Sequence, residues 1–402
     1  MITVAEALGI LRKTCFAGPV EKTALREGAG RVLARDVRAD VAWPPFDSSA
    51  MDGYAVRLDD FAPGKGPVAE RPGFVGAGDK PPAPLAPGEA VRIMTGAPVP
   101  AGTEAIVPVE KVRRENGTVM ALGTPSAGEH IRRCGESVAA GALLLARGRR
   151  LAPSDIALAA LAGAEPLHVF RRPRVTIAVT GNELVPASET PGPGQLRDSN
   201  GPMLEALCRA HGAAAVSRPA VADEDGAVRR LFARRTEDAD VLITSGGVSA
   251  GDLDLLPDVA ARAGFEILFH GVSIRPGKPI AFGRRGGTLW FGLPGNPVST
   301  SVCFHVFVRF ALDALAGAEP AGPSFVSARL ARAMTIRGRR ETYSDARLSV
   351  VDGQARAEPI KSRGSHDLAA YASANALIRV ALGTQNLPEG ALVECLVLGD
   401  RL

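Results

Sequence analysis

The strongest constraint on the fold is a repeated alternation of apolar runs and helical stretches across residues 172–318. Three apolar, β-rich runs each end in glycine or in a turn that contains glycine: 175–180, 241–244 and 289–293. Helical spacing is seen at Met203–Ala210, and an apolar helix is predicted from about Val298 to Leu315. This order predicts a parallel sheet with helices on both faces, which is an α/β domain.

The sequence on either side of this region predicts other kinds of structure. Residues 1–36 indicate a helix and a short connection, and residues 36–138 alternate short β-rich runs with Pro/Gly clusters, as a small β domain does. A second helix, predicted at 153–163, is expected to pack on the first and to make the β domain an insertion. Residues 321–402 are mostly strand-like and predict a separate small β-barrel or sandwich.

Charge, cysteine usage and the N-terminal sequence exclude several classes of protein. With 47 Lys plus Arg against 43 Asp plus Glu, the net charge of +4 requires neither nucleic acid nor a membrane surface as a partner. The five cysteines have no paired short spacing, which argues against zinc and disulfides and favours a reducing compartment. No signal peptide is evident, and no stretch approaches the roughly 20 apolar residues of a membrane span. We therefore expect a soluble cytoplasmic protein.

Four loops at or near the predicted strand ends carry polar and cationic residues. In open α/β sheets, ligands bind beyond the carboxyl ends of the strands, where glycines let backbone N–H groups approach an anion. Arg275 and Lys278 add formal positive charge. One such turn alone is usually structural, but four together predict a phosphate or oxyanion site. The loops are Thr180-Gly181-Asn182-Glu183, the segment that starts Ser245-Gly246-Gly247-Val248-Ser249, Arg275-Pro276-Gly277-Lys278-Pro279, and Pro294-Gly295-Asn296-Pro297-Val298-Ser299.

Acidic residues interleave with these loops: Glu183, Asp198, Asp223, Asp252 and Asp254. Carboxylates beside phosphate-binding loops usually hold a divalent cation, and Mg²⁺ takes one or two of them together with water and substrate phosphates. Asp223 and Asp254 are the preferred ligands, whereas a helix cap explains Asp252 equally well. This acidic set favours nucleotide or pyrophosphate chemistry over acyl transfer. The sequence has no evident Gly-x-Ser-x-Gly elbow, no Walker motif and no Gly-x-Gly-x-x-Gly turn after a strand.

Longer motifs identify a family. Residues 44–55 read PPFDSSAMDGYA and resemble the DNSAMDGYA segment of the molybdopterin molybdotransferases, the family of bacterial MoeA and the gephyrin E domain. Residues 93–100 are similar to its TGA-P loop. The remaining motifs follow in family order: TGNEL at 180–184, GQLRDSN at 194–200, GGVS at 246–249, RPGKP at 275–279 and PGNP at 294–297.

The resemblance implies four domains and a homodimer. Helical domain I would comprise residues 1–36 and 139–171, interrupted by β domain II at 37–138; α/β domain III would span 172–320 and β domain IV 321–402. The active site would lie between domains III and IV of one subunit and domain II of the other. Asp52 and Thr95 would face the cleft from the partner chain.

The resemblance also implies the reaction. Molybdate is inserted into adenylylated molybdopterin in the presence of Mg²⁺, AMP is released, and the molybdenum cofactor is formed. A molybdopterin adenylyltransferase upstream and the enzymes that accept the cofactor would be partners. Asp52, Thr95, Glu183, Asp198 and Asp254 would form the catalytic set.

Binding roles are carried over residue by residue from the matching motifs. Asp223, Ser249 and Asp254 match positions near Mg²⁺ and the AMP phosphate, while Glu183 and Asp198 would lie around the pterin phosphate or assist the chemistry. The residues matched to molybdate are Arg275, Lys278, Ser299, Arg339 and Ser365. Ser245, Gly246, Gly247, Pro294 and Pro297 complete the expected substrate-binding loops.

The chain departs from the family pattern at a few positions. Ser48 replaces the more usual Asn, and Arg275 stands where Lys is common, which keeps the charge but changes the donor geometry. Gly271 stands where many relatives have Lys. The segment 337–343 aligns loosely, so either Arg339 or Arg340 is the anion contact.

Three alternatives remain at the level of sequence. A non-catalytic molybdopterin-binding scaffold is disfavoured because both the carboxylates and the cations are present. An adenylyltransferase acting on molybdopterin needs only the α/β domain, so the additional domains argue against it. A paralogue that handles tungstate or a modified pterin stays open because tungstate and molybdate differ little in size and charge.

Overall fold

The computed structural model describes residues 1–217, 220–221, 225–234, 239–248, 255–336 and 338–399. Its contacts divide the chain into two compact units. The first comprises Met1–Arg35, Arg147–Ala152 and Leu167–Leu402, and the second comprises Asp36–Ala146 and Pro153–Pro166.

A mixed sheet is the centre of the first unit. Its parallel part has Arg174–Thr180 flanked by Val241–Ser245 on one side and by Ala215–Ser217 and Ala220–Val221 on the other, and Thr288–Leu293 lies beyond Val241–Ser245. The three apolar runs predicted as strands are therefore neighbours in the sheet. Their carboxyl ends meet at one edge, where the sequence places the glycine-containing loops.

Helices cover both faces of this sheet. On Val241–Ser245, Val241 and Ile243 join a core with helices Val4–Thr14, Asn200–Ala210 and Pro297–Leu315, whereas Leu242 joins a core with helices Asp225–Arg234 and Leu255–Arg262. Alternate residues of a strand point to opposite faces, and a strand buried on both faces is apolar throughout. The predicted α/β fold class is confirmed.

The sheet also has an antiparallel edge that was not predicted. Ala281–Arg285 pairs antiparallel with Thr288–Leu293, and Glu266–His270 pairs antiparallel with Ala281–Arg285. The two residues Gly286 and Gly287 connect the first pair, and Gly286 has a φ of 55°. A two-residue connection permits only a hairpin, so strand direction reverses here.

The helix Pro297–Leu315 matches the apolar helix predicted from about Val298 to Leu315, although no stretch of the sequence was expected to approach a membrane span. It has 19 residues, includes a π-helical turn at Phe304–Val308, and has the length and composition of a membrane span. However, 83% of its apolar 18-residue window is buried inside the structure, where Phe304 and Phe307 pack in the main core. A core helix of a folded domain meets the same criteria, so this helix is weak evidence for a membrane segment.

A five-stranded barrel follows the α/β region. Glu341–Val351 pairs with both Gln354–Pro359 and Ala376–Val380, and this second pairing closes the sheet on itself. Phe325–Leu330 and Leu392–Val397 complete the barrel, whose interior contains Leu330, Leu348 and Ile378 among others. The strand Ile274–Arg275 joins Glu341–Val351 in parallel, so the loop that carries Arg275 and Lys278 is attached directly to the barrel.

The second unit contains a six-stranded sheet and the helix Pro153–Leu161. Apolar residues lie on both faces: Ala55, Val91 and Ile106 are in one core and Tyr54, Val56 and Val107 in another. The strand order is Ala105–Pro108, Gly53–Val56, Glu89–Ile93, Val68–Val75, Thr118–Ala121 and Val112–Glu115.

The N-terminal helix Val4–Thr14 belongs to the first unit. Thr3 caps it in a reciprocal capping box with Glu6, and Val4, Ala7 and Leu11 are buried in the core of the α/β region. The four domain boundaries given above stay a prediction.

Candidate active site

A large cleft in the first unit brings the predicted loops together. Its volume is about 1340 Å³, and its walls come from the carboxyl-end loops of the sheet and from the adjoining side of the barrel. Twelve of the sequence-predicted residues line it: Glu183, Asp198, Ser245, Gly246, Gly247, Arg275, Lys278, Pro294, Pro297, Ser299, Ser365 and Arg340, the last being the alternative to Arg339. Arg339 is not among the lining residues of this cleft.

The glycine turn after Val241–Ser245 requires its glycines. Gly246 and Gly247 have φ values of 102° and 61°, in the region that favours glycine. A Cβ on Gly246 would lie 2.5 Å from the backbone oxygen of Thr180. The turn therefore packs directly on the end of the neighbouring strand and offers bare backbone to the cleft.

Asn200 connects three of the loops. Its Nδ2 donates to Ser245 Oγ at 2.9 Å and to the Gly295 backbone oxygen at 2.7 Å, and Ser245 Oγ donates to the Pro294 backbone oxygen at 3.2 Å. This buried network fixes the start of helix Asn200–Ala210 against two strand ends.

Two buried polar atoms beside this network have no hydrogen-bond partner among the described residues. They are Thr180 Oγ1 and Asn200 Oδ1, and both residues line the cleft. Leaving a buried polar atom unpaired costs about 1–3 kcal/mol, so native structures rarely retain one without a ligand or water. The pair indicates that this side of the cleft is built to accept a polar ligand.

The cationic loop lies on a tightly packed support. Arg275 and Lys278 are exposed to the cleft, whereas Gly277 between them is buried with a φ of 114°. A Cβ on Gly277 would lie 2.5 Å from Cys303 Sγ, so helix Pro297–Leu315 supports the loop from below. Two positive side chains on a fixed turn suit a small oxyanion.

The barrel contributes a turn around Ser365. Asn296 Nδ2 donates to Ser365 Oγ at 3.0 Å, and the Val298 N–H donates to the Ser365 backbone oxygen at 3.1 Å. Arg340 Nη1 donates to the Ile274 backbone oxygen at 3.2 Å. These bonds join the barrel to the α/β loops on both sides of the cleft.

The described carboxylates do not by themselves form a metal centre. Glu183 and Asp198 line the cleft, and Asp198 Oδ1 accepts from the Gly201 N–H at 2.8 Å. Within the part of the chain that the structure describes, no group of three or more His, Cys, Asp or Glu residues could hold a metal ion. Asp223, Ser249, Asp252 and Asp254 lie outside the described residues.

Asp345 lines the cleft and was missed by sequence reasoning. Only 6% of it is exposed, and burial followed by the nearby negative charge of Asp367 raises its pKa from 3.8 to about 6. Such a carboxyl can change protonation state near neutral pH. The neighbouring sequence did not indicate that Asp345 is buried, because its burial depends on closure of the barrel.

Asp52 and Thr95 lie in the second unit and contact each other. Asp52 Oδ1 accepts from the Thr95 backbone N–H and from Thr95 Oγ1, both at 2.7 Å. These two bonds lower the pKa of Asp52 and keep it ionised. Gly53 is required next to them, because a Cβ there would lie 2.2 Å from the Val107 backbone oxygen.

Relatives of known name match almost the whole chain. It is 40% identical over 383 residues to molybdopterin molybdenumtransferase 2 of Mycobacterium tuberculosis, and the matched region covers 90% of this chain and 92% of that protein. It is 34% identical over 409 residues to the molybdopterin molybdenumtransferase of Bacillus subtilis, with 99% and 94% covered. The chain belongs to the molybdopterin molybdenumtransferase family. Membership of this family makes it an enzyme of molybdenum cofactor biosynthesis.

Family regions and a solved structure agree with this assignment. The chain matches the MoeA N-terminal region (domain I and II) at residues 2–163, the region described as "Probable molybdopterin binding domain" at 176–314, and the MoeA C-terminal region (domain IV) at 327–398. The crystal structure of the molybdopterin biosynthesis moeA protein from Pyrococcus horikoshii OT3 superposes with a TM-score of 0.83 at 27% identity, covering 99% of this chain and all of that one. The molybdopterin molybdenumtransferase family is thus supported by sequence and by fold.

Proposed function

We propose that this enzyme inserts molybdate into adenylylated molybdopterin and releases AMP, giving the molybdenum cofactor. The observation that carries the proposal is the meeting of Arg275 and Lys278 with the bare glycine turn Gly246–Gly247 in one cleft. Cations for a tetrahedral dianion and backbone N–H groups for phosphate are what the two substrates require.

In this proposal the two ends of the cleft bind different substrates. Arg275, Lys278, Ser299, Ser365 and an arginine of the pair 339–340 hold molybdate. The loops around Ser245 and Pro294, with the unpaired atoms of Thr180 and Asn200, hold the adenylylated pterin. Fixing both reactants accelerates the transfer by positioning and electrostatics, without covalent catalysis.

Mg²⁺ is part of the proposal through Asp223 and Asp254. When bound, the ion would neutralise charge on the pyrophosphate. Glu183 and Asp198, which line the described part of the cleft, would lie beside the pterin phosphate.

The enzyme is further proposed to be a cytoplasmic homodimer. Asp52 of the partner subunit and Thr95 of the partner subunit would complete the cleft. Molybdopterin adenylyltransferase would supply the substrate, and molybdenum-dependent apo-enzymes would receive the product.

The experiment that tests the proposal separates anion binding from phosphoanhydride cleavage. Lys278→Ala should weaken molybdate binding and raise the KM for molybdate about tenfold or more, since it removes one charged contact. Asp254→Ala should abolish AMP release in a folded protein. Lys361→Ala, at an exposed position outside the lining residues, serves as the matched control for charge. Unchanged molybdate binding in the Lys278 variant, or normal turnover in the Asp254 variant, would remove the corresponding assignment.

A further inference from the structure

Asp345 lies where the barrel faces the α/β region. On its strand, Tyr343 belongs to the core shared with the α/β region, while Ala346 belongs to the barrel interior. Asp345 is two residues from Tyr343 and opposite Leu377, which is also in the shared core. Residues two apart on a strand, and residues paired across strands, share a face. The Asp345 carboxyl therefore points away from the barrel interior and into the wall of the cleft.

A second carboxylate, that of Asp367, influences the protonation state of Asp345 in the wall of the cleft. Asp367 accepts hydrogen bonds from the backbone N–H groups of Arg363 at 3.0 Å and Ala370 at 3.2 Å, and these bonds lower its pKa. Asp367 is thus a permanent negative charge on the same turn as Ser365. Two neighbouring carboxyls resist ionising together, so the ionised Asp367 favours the protonated form of the buried Asp345.

The proton of Asp345 is not used inside the protein. Among the described residues, none donates a hydrogen bond to its carboxyl, and burial and Asp367 alone account for its raised pKa. Tyr371 lies nearby, but its hydroxyl is bonded to Ser301 Oγ at 2.5 Å. When it is protonated, Asp345 therefore presents an O–H that no described residue accepts, in a cleft that carries Arg275, Lys278 and Ser365.

Insertion of molybdate into a dithiolene needs such a proton. Each oxygen of molybdate that is replaced must leave as water, which takes two protons, while molybdenum–sulfur bonds replace the broken molybdenum–oxygen bond. A dithiol supplies two protons in total, so molybdate and a dithiol give a trioxo dithiolene dianion and one water, with no change of oxidation state. The leaving oxygen must be protonated, and a positioned acid accelerates such a transfer.

We propose that Asp345 is a catalytic acid that delivers one proton to the departing oxygen of molybdate and is then reprotonated by one thiol of the pterin, while the other thiol supplies the second proton of the water. This inference rests on the function proposed above. Binding the dianion beside Asp345 adds a second negative charge and strengthens its hold on the proton until sulfur attacks.

The pH dependence must be separated from other groups around Asp345. On its own strand, the charged or titratable residues of the same face are Glu341, Tyr343 and Arg347. The neighbouring strand Ala376–Val380 has Arg379, and the short helix Leu368–Ala372 has Tyr371. The turn has Arg363, His366 and Asp367, and the cleft has Arg275, Lys278 and Arg340. Glu341 is paired with Arg379 at 2.8 Å, and Tyr371 titrates only near 12. His366 is the imidazole on this turn and also lines the cleft, so His366→Gln is included as a control.

The test measures single-turnover molybdenum insertion, with adenylylated molybdopterin, Mg²⁺ and molybdate, between about pH 5 and pH 9. The wild-type rate should fall as the pH rises above the pKa of Asp345. Asp345→Asn should slow insertion by about 100-fold and remove this limb of the profile, while molybdate binding is retained or tightened because a carboxylate has been lost. Asp367→Asn, which can still cap the turn, should shift the limb to lower pH. Glu389→Gln, at an exposed site on the same barrel, should leave the profile unchanged.

The outcomes distinguish a failure of the role of Asp345 from a failure of the proposed function. An active wild type whose Asp345→Asn variant keeps the same rate and profile overturns the role of Asp345 and leaves the proposed function intact. An Asp367→Asn profile that does not shift, or a limb lost in His366→Gln, also overturns it. A wild type that inserts no molybdate overturns the proposed function itself.

Discussion

At the scale of single residues, the cleft contains polar groups that are buried away from water without the partners that water would supply. Thr180 Oγ1 and Asn200 Oδ1 are buried without a partner among the described residues. Asp345 is a buried carboxyl beside an ionised one. Each arrangement lowers the stability of the ligand-free protein, and strain of this kind is usually retained where a ligand binds.

The burial of the Asp345 carboxyl predicts that replacing Asp345 raises the stability of the protein in a pH-dependent way. The pKa of Asp345 is 3.8 in the unfolded chain and about 6 in the folded one, so folding favours the protonated carboxyl. The resulting stabilisation is complete below pH 3.8 and is lost as the pH rises through about 6. Asp345→Asn should therefore be more stable than the wild type at pH 8 by about 1–2 kcal/mol, a value reduced for partial access of water. Urea denaturation at pH 4 and pH 8 measures this, and an equal difference at both would contradict it.

At the scale of elements, the site depends on connections between strand ends. Asn200 joins the start of a helix to the loops after Val241–Ser245 and Thr288–Leu293 through two hydrogen bonds. The Arg275–Lys278 loop is supported by helix Pro297–Leu315 below and by the barrel strand Glu341–Val351 beside it. The rigidity of the anion site therefore depends on these hydrogen bonds and packing contacts.

Substitution of Asn200 tests this dependence. Asn200→Ala should lower the free energy of unfolding by about 1–3 kcal/mol, because two buried oxygens lose their donor. Asn200→Asp should cost more, since a carboxylate would face the oxygens of Ser245 and Gly295. Buried Trp290 reports unfolding of this sheet by fluorescence in a Trp43→Phe background. Asn386→Ala, at an exposed asparagine, is the control, and equal stability of Asn200→Asp and wild type would contradict the account.

The local sequence pattern predicted the strands of the α/β sheet, whereas the features that were not predicted depend on contacts between distant residues. The runs 175–180, 241–244 and 289–293 were identified because strands buried on both faces are continuously apolar. The antiparallel edge was not predicted, although the two-residue Gly286-Gly287 connection requires a hairpin at this point. The motifs predicted most of the loops around the cleft. Asp345 was not predictable, since its environment is created by Asp367 and by a barrel that closes through distant pairings.

At the scale of the whole molecule, the predicted catalytic residues are distributed over two compact units. Asp52 and Thr95 form their hydrogen-bonded pair in the second unit, whereas the cleft with Lys278 lies in the first. The proposed homodimer with a composite site accounts for this distribution, because one subunit would supply each part.

Complementation tests the composite site. Asp52→Ala should inactivate a homodimer, and Lys278→Ala should lower its activity about tenfold or more at subsaturating molybdate. A heterodimer of the two variants, purified through two different tags, should regain about half of the wild-type activity, since one of its two sites would contain both native residues. A wild-type pair carrying the same tags is the control. No recovery in a correctly assembled heterodimer would place both residues in a site formed by one chain.

The central claim is that one cleft binds an adenylylated pterin and a tetrahedral dianion and joins them. The most direct measurement incubates the purified enzyme with adenylylated molybdopterin, Mg²⁺ and molybdate, and follows AMP together with reconstitution of a molybdenum-dependent apo-enzyme. The account predicts AMP release in proportion to active cofactor formed, with cofactor formation lost when molybdate is omitted. Tight binding of the pterin without AMP release or cofactor formation would contradict it and indicate a binding scaffold.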